Sequence, residues 1–213
     1  MEIKVMKNIL GENDKIAEEN RAMFREKNVT VVNLMGSPGS GKTTLLEKTL
    51  EKISGRISAA VIEGDLFTAR DAERIERLGV PVVQINTAGG CHLDAAMVKR
   101  AAESLELEKI QLLIVENVGN LVCPAEFDVG ENFKATVLSI TEGDDKPLKY
   151  PLIFKESAVV LLNKIDLLPY TNFDLAAARE DLSTIHPNVE IIETSCTTGA
   201  GLDAWADWLA GVI

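Results

Sequence analysis

The stretch "VTVVNLMGSPGSGKTT", residues 29–44, admits few folds. An apolar, β-branched run breaks at Gly36 into a glycine-rich turn that ends on Lys42 and Thr43, and an amphipathic segment follows at once. This is G-x-x-x-x-G-K-[ST] in the strand–loop–helix context that gives the pattern its meaning. Gly36, Gly39 and Gly41 let backbone N–H groups close around phosphate at a helix N-terminus, where the peptide dipoles favour an anion. Ser37, Ser40 and Thr44 belong to the same expected nucleotide contacts. Lys42 reaches the β- and γ-phosphates, and the Thr43 hydroxyl takes one position on Mg²⁺.

The rest of the chain repeats the alternation. Apolar runs "ISAAVIE", "VPVVQIN", "IQLLIVEN", "FKATVLSI", "SAVVLLNK" and "VEIIETS" alternate with helical stretches from Lys42, near 70–78, from His92, near 173–185 and from Leu202. Near-continuous apolar strands separated by helices predict an α/β fold, a mostly parallel sheet covered on both faces, with ligands at the carboxyl ends of the strands. Residues 12–27 read as a charged helix with a thin apolar stripe of Ile16, Ala17, Met23 and Phe24, capped by Asn13. The predicted organisation is an N-terminal helical extension over 1–28 and a P-loop domain over 29–213.

Two strand ends offer carboxylates to Mg²⁺, directly or through water: Asp65 after "AAVIEG" and Glu116 after "IQLLIV". "ENVG" (116–119) then reads as a variant of the D-x-x-G switch that senses a γ-phosphate. These residues, with Lys42 and Thr43, form the expected catalytic set. "VVLLNKID" supplies Asn163, Lys164 and Asp166, the N-K-x-D arrangement in which Asp166 accepts from two guanine donors that adenine lacks. "TSCTTG" (194–199) resembles the S-A-K element, with Ser195 and with Cys196 and Thr197 in place of Ala and Lys. GTP, not ATP, is the predicted nucleotide. Gly119 is followed by Asn120 where Ras-like switches carry a water-orienting Gln, and only Arg70, Arg74 or a lysine from a second subunit offers a finger. Slow turnover follows, the behaviour of a switch.

The chain has three cysteines and two histidines, yet Cys91 and His92 are adjacent, after Gly89-Gly90 and at the predicted head of a helix. A helix N-terminus favours the thiolate that metals require. If Cys123, in the switch loop, joins them, one subunit supplies an S₂N set suited to Zn²⁺ or Ni²⁺, one ligand short of a closed tetrahedral site; a two-fold dimer would close one shared site or build two adjacent ones. Nucleotide state and metal affinity are then coupled reciprocally. His186 reads as a loop residue. With 33 acidic against 22 basic residues, the formal charge of −11 argues against nucleic-acid or anionic-membrane partners. The lack of an N-terminal apolar signal or a spanning run of about 18 residues predicts the cytoplasm.

"GSPGSGKTTLLEKTL", "VIEGD", "GGCHLDA", "ENVGNLVCPAEFDVGE" and "NKIDLLPY" together resemble the hydrogenase nickel-incorporation GTPases, the HypB family, over nearly the whole length. The resemblance implies a metallochaperone of the signal-recognition-like branch of P-loop NTPases. Such a protein dimerises with GTP and assists Ni²⁺ delivery to the large subunit of [NiFe] hydrogenase, with a HypA-type accessory partner. It also implies that Cys91, His92 and Cys123 match the family's Ni²⁺ or Zn²⁺ site near the dimer interface. Some members carry an N-terminal Cys- or His-rich motif, which "MEIKVMKNILGENDKIAEEN" lacks. Delivery to another enzyme such as urease, and a zinc-regulated switch without metal transfer, stay open as alternatives.

Overall fold

Seven strands form one sheet, and every neighbouring pair in it is parallel. The computed structural model describes residues 2–65 and 70–213, with side chains from residue 10 onward apart from Arg70. In chain order the elements are α1 (Glu2–Glu26), β1 (Thr30–Gly36), α2 (Lys42–Ile53), β2 (Ala59–Asp65), α3 (Arg70–Glu76), β3 (Val82–Asn86) and α4 (Ala95–Ala102). There follow β4 (Leu112–Glu116), α5 (Cys123–Glu126), β5 (Phe133–Ser139), α6 (Lys146–Lys149), α7 (Pro151–Lys155), β6 (Val159–Asn163), α8 (Leu175–Ile185), β7 (Glu190–Thr194) and α9 (Leu202–Gly211). The strand order is β3-β2-β4-β1-β5-β6-β7. The chain builds outward through β2 and β3, returns at β4, then steps across β1 to β5, so a ligand crevice is expected beyond the carboxyl ends of β1 and β4.

All seven strands fall where the apolar runs predict them; the central ones, buried on both faces, carry apolar residues with little alternation, and the edge strands β3 and β7 are only partly buried. One face packs Leu34 and Leu161 against Leu45 and Leu50 of α2 and Trp205 and Leu209 of α9. The opposite face packs Leu113 and Val115 against Val98 of α4 and Phe24 of α1. A third cluster sets Met35 and Leu162 under Phe154 of α7 and Leu182 of α8. No helix among the described residues is long and apolar enough to cross a membrane.

Three expectations about helices are corrected. The helix predicted to begin at His92 begins at Ala95, because the Asp94 carboxylate accepts from the Met97 N–H at 2.7 Å and caps it. Asn13 caps nothing of its own helix: α1 already starts at Glu2, and Asn13 lies inside it, buried. The buried stripe of α1 is Asn13, Ala17, Asn20 and Phe24, spaced to lie on one face, with Ile16 and Met23 only half-buried. The two asparagines are held by long-range bonds. Asn13 Oδ1 accepts from the Ala95 N–H (2.9 Å) and its Nδ2 donates to the Asp128 carbonyl (2.8 Å), while Asn20 Nδ2 donates to the carbonyls of Ala95 (2.8 Å) and Val129 (3.0 Å). Helix α1 therefore packs on the sheet domain itself and secures the start of α4.

Candidate functional site: a phosphate loop beside a thiol–imidazole cluster

The loop between β1 and α2 closes over the carboxyl end of the sheet, beside a cavity of about 480 Å³ lined by Lys42, Thr43, Glu63, Asp65, Glu116 and Gly119 among others. Gly41 has φ +98°, and a Cβ there would meet Asn163 Nδ2 at 2.5 Å, so both conformation and space demand glycine. The Lys42 ammonium is buried and donates to the carbonyls of Gly36 and Ser37, each at 3.1 Å. Burial pulls its pKa down, and the carboxylates of Glu116 and Glu63 oppose that shift. Thr43 Oγ1 donates to Glu116 Oε1 at 2.7 Å. Asp65, at the end of β2, is half-buried on the same cavity.

Glu63 is a member that the sequence reading missed. It stands in register with Glu116 across β2 and β4, and both are 3 % exposed. Burial, then the nearby Glu116, Asp71 and Asp65, push Glu63 up to about 8; burial pushes Glu116 up to about 7 against the pull of Lys42 and Thr43. A lone Glu within the apolar run "AAVIE" is the signal that could have found it. Glu63 Oε2, Glu116 Oε2 and the hydroxyls of Ser37 and Ser40 are buried with no protein partner. Buried oxygens are normally satisfied. Glu63, Asp65, Glu116 and the Thr43 hydroxyl line the cavity together with Lys42, a set of oxygens and one ammonium that fits a nucleotide's phosphates with a hydrated Mg²⁺, which takes oxygen ligands and keeps several waters.

Arg74 is not free to act as a finger. Its guanidinium grips Glu47 from Nε (2.9 Å) and Nη2, and reaches Asp71 Oδ1 and Thr44 Oγ1, each at 3.1 Å. The Arg70 side chain lies outside the described residues. Thr44 thus ties α2 to α3.

At the far side of the loop, Asn163 ends β6, buried, and donates from Nδ2 to the Ser40 carbonyl at 2.9 Å while its Oδ1 accepts from Thr194 Oγ1 at 3.2 Å. Lys164 follows with φ +66° and lays its ammonium on the Gly39 carbonyl at 2.6 Å. Asp166 accepts from Ser195 Oγ at 2.5 Å, and Ser195 Oγ also accepts from the Thr198 N–H at 3.2 Å. That bond aims one carboxylate oxygen and leaves the other for a ligand's N–H donors. Cys196 is half-buried against the core, 3.9 Å from Asn163 Oδ1, and burial pushes its thiol up.

The loops after β3 and β4 bring the remaining cluster together over the end of β2. Cys91 Sγ lies 3.0 Å from Cys123 Sγ and 3.5 Å from His92 Nδ1, and one ligand atom from each residue falls within 4.8 Å of the others. The His92 ring stacks on Phe127, centroids 3.7 Å apart. Burial lowers the His92 pKa, against Asp94 and Glu126, which keeps the imidazole neutral and able to donate its lone pair. Cys91 and His92 do not head a helix as expected, since α4 starts at Ala95 with Asp94 as its cap; at Cys123 the Cys91 contact, then burial, raise the thiol, with Asn120 opposing. Two sulfurs and one imidazole suit a Zn²⁺ or Ni²⁺ ion. Asn117, which follows Glu116, accepts on Oδ1 from the Leu93 N–H at 3.0 Å and so pins the residue after His92 to the end of β4. His186 ends α8, with Nδ1 3.1 Å from the Ser157 carbonyl, away from both sites.

Residues 30–193 match the family model described as CobW/HypB/UreG, nucleotide-binding domain. The hydrogenase maturation factor HypB of Escherichia coli K12 is 52% identical over 211 residues, covering 97% of this chain and 71% of that protein. Among solved structures, HypB from Archaeoglobus fulgidus superposes with a TM-score of 0.89 at 39% identity, covering 95% of this chain and 98% of that one. HypB from Helicobacter pylori, in complex with nickel, superposes at 0.90 with 38% identity, covering 94% of each chain. The chain belongs to the CobW/HypB/UreG nucleotide-binding family and, within it, to the HypB hydrogenase maturation factors.

Proposed function

We propose that the protein is a GTP-dependent nickel switch: it binds and slowly hydrolyses GTP, holds Ni²⁺ or Zn²⁺ on Cys91, His92 and Cys123, and releases nickel into hydrogenase maturation according to nucleotide state. The observation that carries this reading is one short segment. Glu116, bonded to Thr43, begins it, and Cys123, in contact with Cys91, ends it. A change at the phosphates therefore has seven residues of chain to cross before it reaches a metal ligand.

Each residue has a part in the reading. The loop Gly36–Thr44 and Lys42 bind the phosphates, Asp166 and the Ser195–Cys196 turn read guanine, and Asn163 and Lys164 hold the loop to the base site. Thr43, Asp65 and Glu116 hold Mg²⁺, which supplies charge neutralisation on the phosphates. Arg74 lines the cavity but its guanidinium is held by Glu47, Asp71 and Thr44, and no glutamine joins it there among the described side chains, in keeping with slow turnover. The three-ligand cluster is completed on formation of a GTP-dependent homodimer; the partners are a HypA-type accessory protein and the hydrogenase large subunit, in the cytoplasm. Residues 29–213 act as the GTPase domain and 1–28 as its helical extension.

Equilibrium dialysis of the metal-free protein against Ni²⁺, with GDP and with a non-hydrolysable GTP analogue, tests the reading. The expected result is a nucleotide-dependent affinity or stoichiometry that Cys123→Ala abolishes. Equal binding under both nucleotides refutes it, as does ATP displacing labelled GTP at equal concentration.

A further inference from the structure

Between the two sites stands a residue that belongs to neither. Asn120 is half-buried in the turn after β4, and its backbone N–H donates to the Gly36 carbonyl at 3.0 Å, forming an isolated antiparallel bridge with the last residue of β1. Its side chain faces the other way. Nδ2 donates to the Cys91 carbonyl at 3.2 Å, and Oδ1 accepts from the Val122 N–H, adjacent to Cys123, at 2.8 Å. One residue thus touches the phosphate loop, the Cys91–His92 loop and the backbone that presents Cys123.

The Gly36 carbonyl has a second donor, the Lys42 ammonium at 3.1 Å. Phosphate oxygens compete for that ammonium, since an ion pair adds the Coulomb attraction of a full negative charge to the hydrogen bond that a neutral carbonyl accepts. When Lys42 turns to a phosphate, Gly36 keeps Asn120 as its donor. Gly119, the residue before Asn120, lies against the phosphate loop with no room for a side chain: a Cβ there would stand 2.8 Å from Pro38 N. We infer that Asn120 is the positioning residue that transmits nucleotide state to the metal cluster, its backbone reading the phosphate loop and its amide setting Cys91 against Cys123.

This rests on the coupled-site reading above, and the test separates the two. Ni²⁺ affinity of the full chain is measured by competition with a chromophoric chelator, under saturating GDP and under a saturating non-hydrolysable GTP analogue, saturation being set from each variant's own nucleotide affinity. The wild-type ratio of the two affinities is expected at about 5- to 150-fold, the span of ordinary allosteric couplings. Asn120→Ala, which keeps the backbone bond and removes both amide ties, brings the ratio to within about twofold of one. Asn120→Asp keeps the acceptor for Val122 and loses the donor to Cys91; the same collapse is expected. If either variant lowers both affinities together and leaves the ratio intact, Asn120 is merely structural and the inference is overturned while the coupled-site reading stands. A wild-type ratio of one overturns both.

Discussion

Replacement of Asn163 by alanine tests whether the N-K-x-D asparagine is a frame for the phosphate loop more than a reader of the base. Its side chain is 1 % exposed and spends Nδ2 on the Ser40 carbonyl and Oδ1 on the Thr194 hydroxyl. Ser40 and Thr194 are both fully buried, so truncation strands one carbonyl and one hydroxyl away from water. An orphaned buried polar group costs about 1–3 kcal/mol, which gives about 2–6 kcal/mol for the two groups stranded by Asn163→Ala, less whatever the hydroxyl recovers by rotating. Against a total stability of about 5–15 kcal/mol that is a large loss, worth roughly 4–24 °C in melting temperature at 2–4 °C per kcal/mol. Urea unfolding of the nucleotide-free protein, followed through Trp205 and Trp208 stacked in α9, reads it directly. The expected result is a lower midpoint at unchanged slope. A loss below about 1 kcal/mol would mean that water or a rearranged loop satisfies Ser40, and the frame argument fails.

Three further perturbations follow from the same geometry. Gly119→Ala places a methyl 2.8–3.0 Å from Pro38 N, Cα and Cγ, none of which can swing away, so it should cost about 1–3 kcal/mol in urea titration; wild-type stability would show that the contact relaxes freely. Asp166→Asn exchanges an acceptor for a donor opposite guanine N1–H and N2, and should weaken GTP at least about 100-fold while xanthosine triphosphate binds better than GTP; an unchanged preference in equilibrium competition removes Asp166 from base recognition. Glu63 held at about 8 keeps a proton that the unfolded chain has released above 4.5, so in that window the folded state binds more protons and stability falls as pH rises. Unfolding midpoints of the Mg²⁺- and nucleotide-free protein should therefore drop between pH 5 and 8, and Glu63→Gln should flatten the drop. Identical slopes in wild type and variant would contradict the burial argument.

The sheet was legible because its central strands are buried on both faces and read as near-continuous apolar runs, while the edge strands β3 and β7, only partly buried, still carry β-branched residues; the phosphate loop was legible because its chemistry is local, with glycines, Lys42 and Thr43 neighbours in sequence. What was not legible depends on register and on distant partners. Glu63 gains its importance only when β2 pairs with β4 and sets it beside Glu116. The short helices α5, α6 and α7, each of four or five residues and opening near a proline, carry no helical period to detect. Asn13 and Asn20 break the apolar stripe of α1, so the stripe was drawn through Ile16 and Met23 instead; only the carbonyls of Asp128, Val129 and Ala95, about 75 to 115 residues away, explain why amides are buried there.

Those asparagines belong to a longer polar chain that explains how two adjacent loops can move without disturbing the domain. Asn117 donates to Asn33 Oδ1 at 3.1 Å, Asn33 to Glu131 Oε1 at 3.4 Å, and Glu131 Oε2 accepts from the Val129 N–H at 2.7 Å. Val129 in turn accepts from Asn20, which also holds Ala95. Apart from Asn20 Oδ1, which is buried without a partner, the bonds named here satisfy the amides and the carboxylate, so displacing one member strands the polar group that it held. The end of β4, the start of α4 and helix α1 are therefore fixed as one frame. Among the described residues, Val118–Cys123 and Thr87–His92 lie outside that frame, and these two segments carry all three members of the thiol–imidazole cluster. In the proposed switch, the displacement that phosphate imposes on the cluster is taken up in these two segments while the frame holds its place.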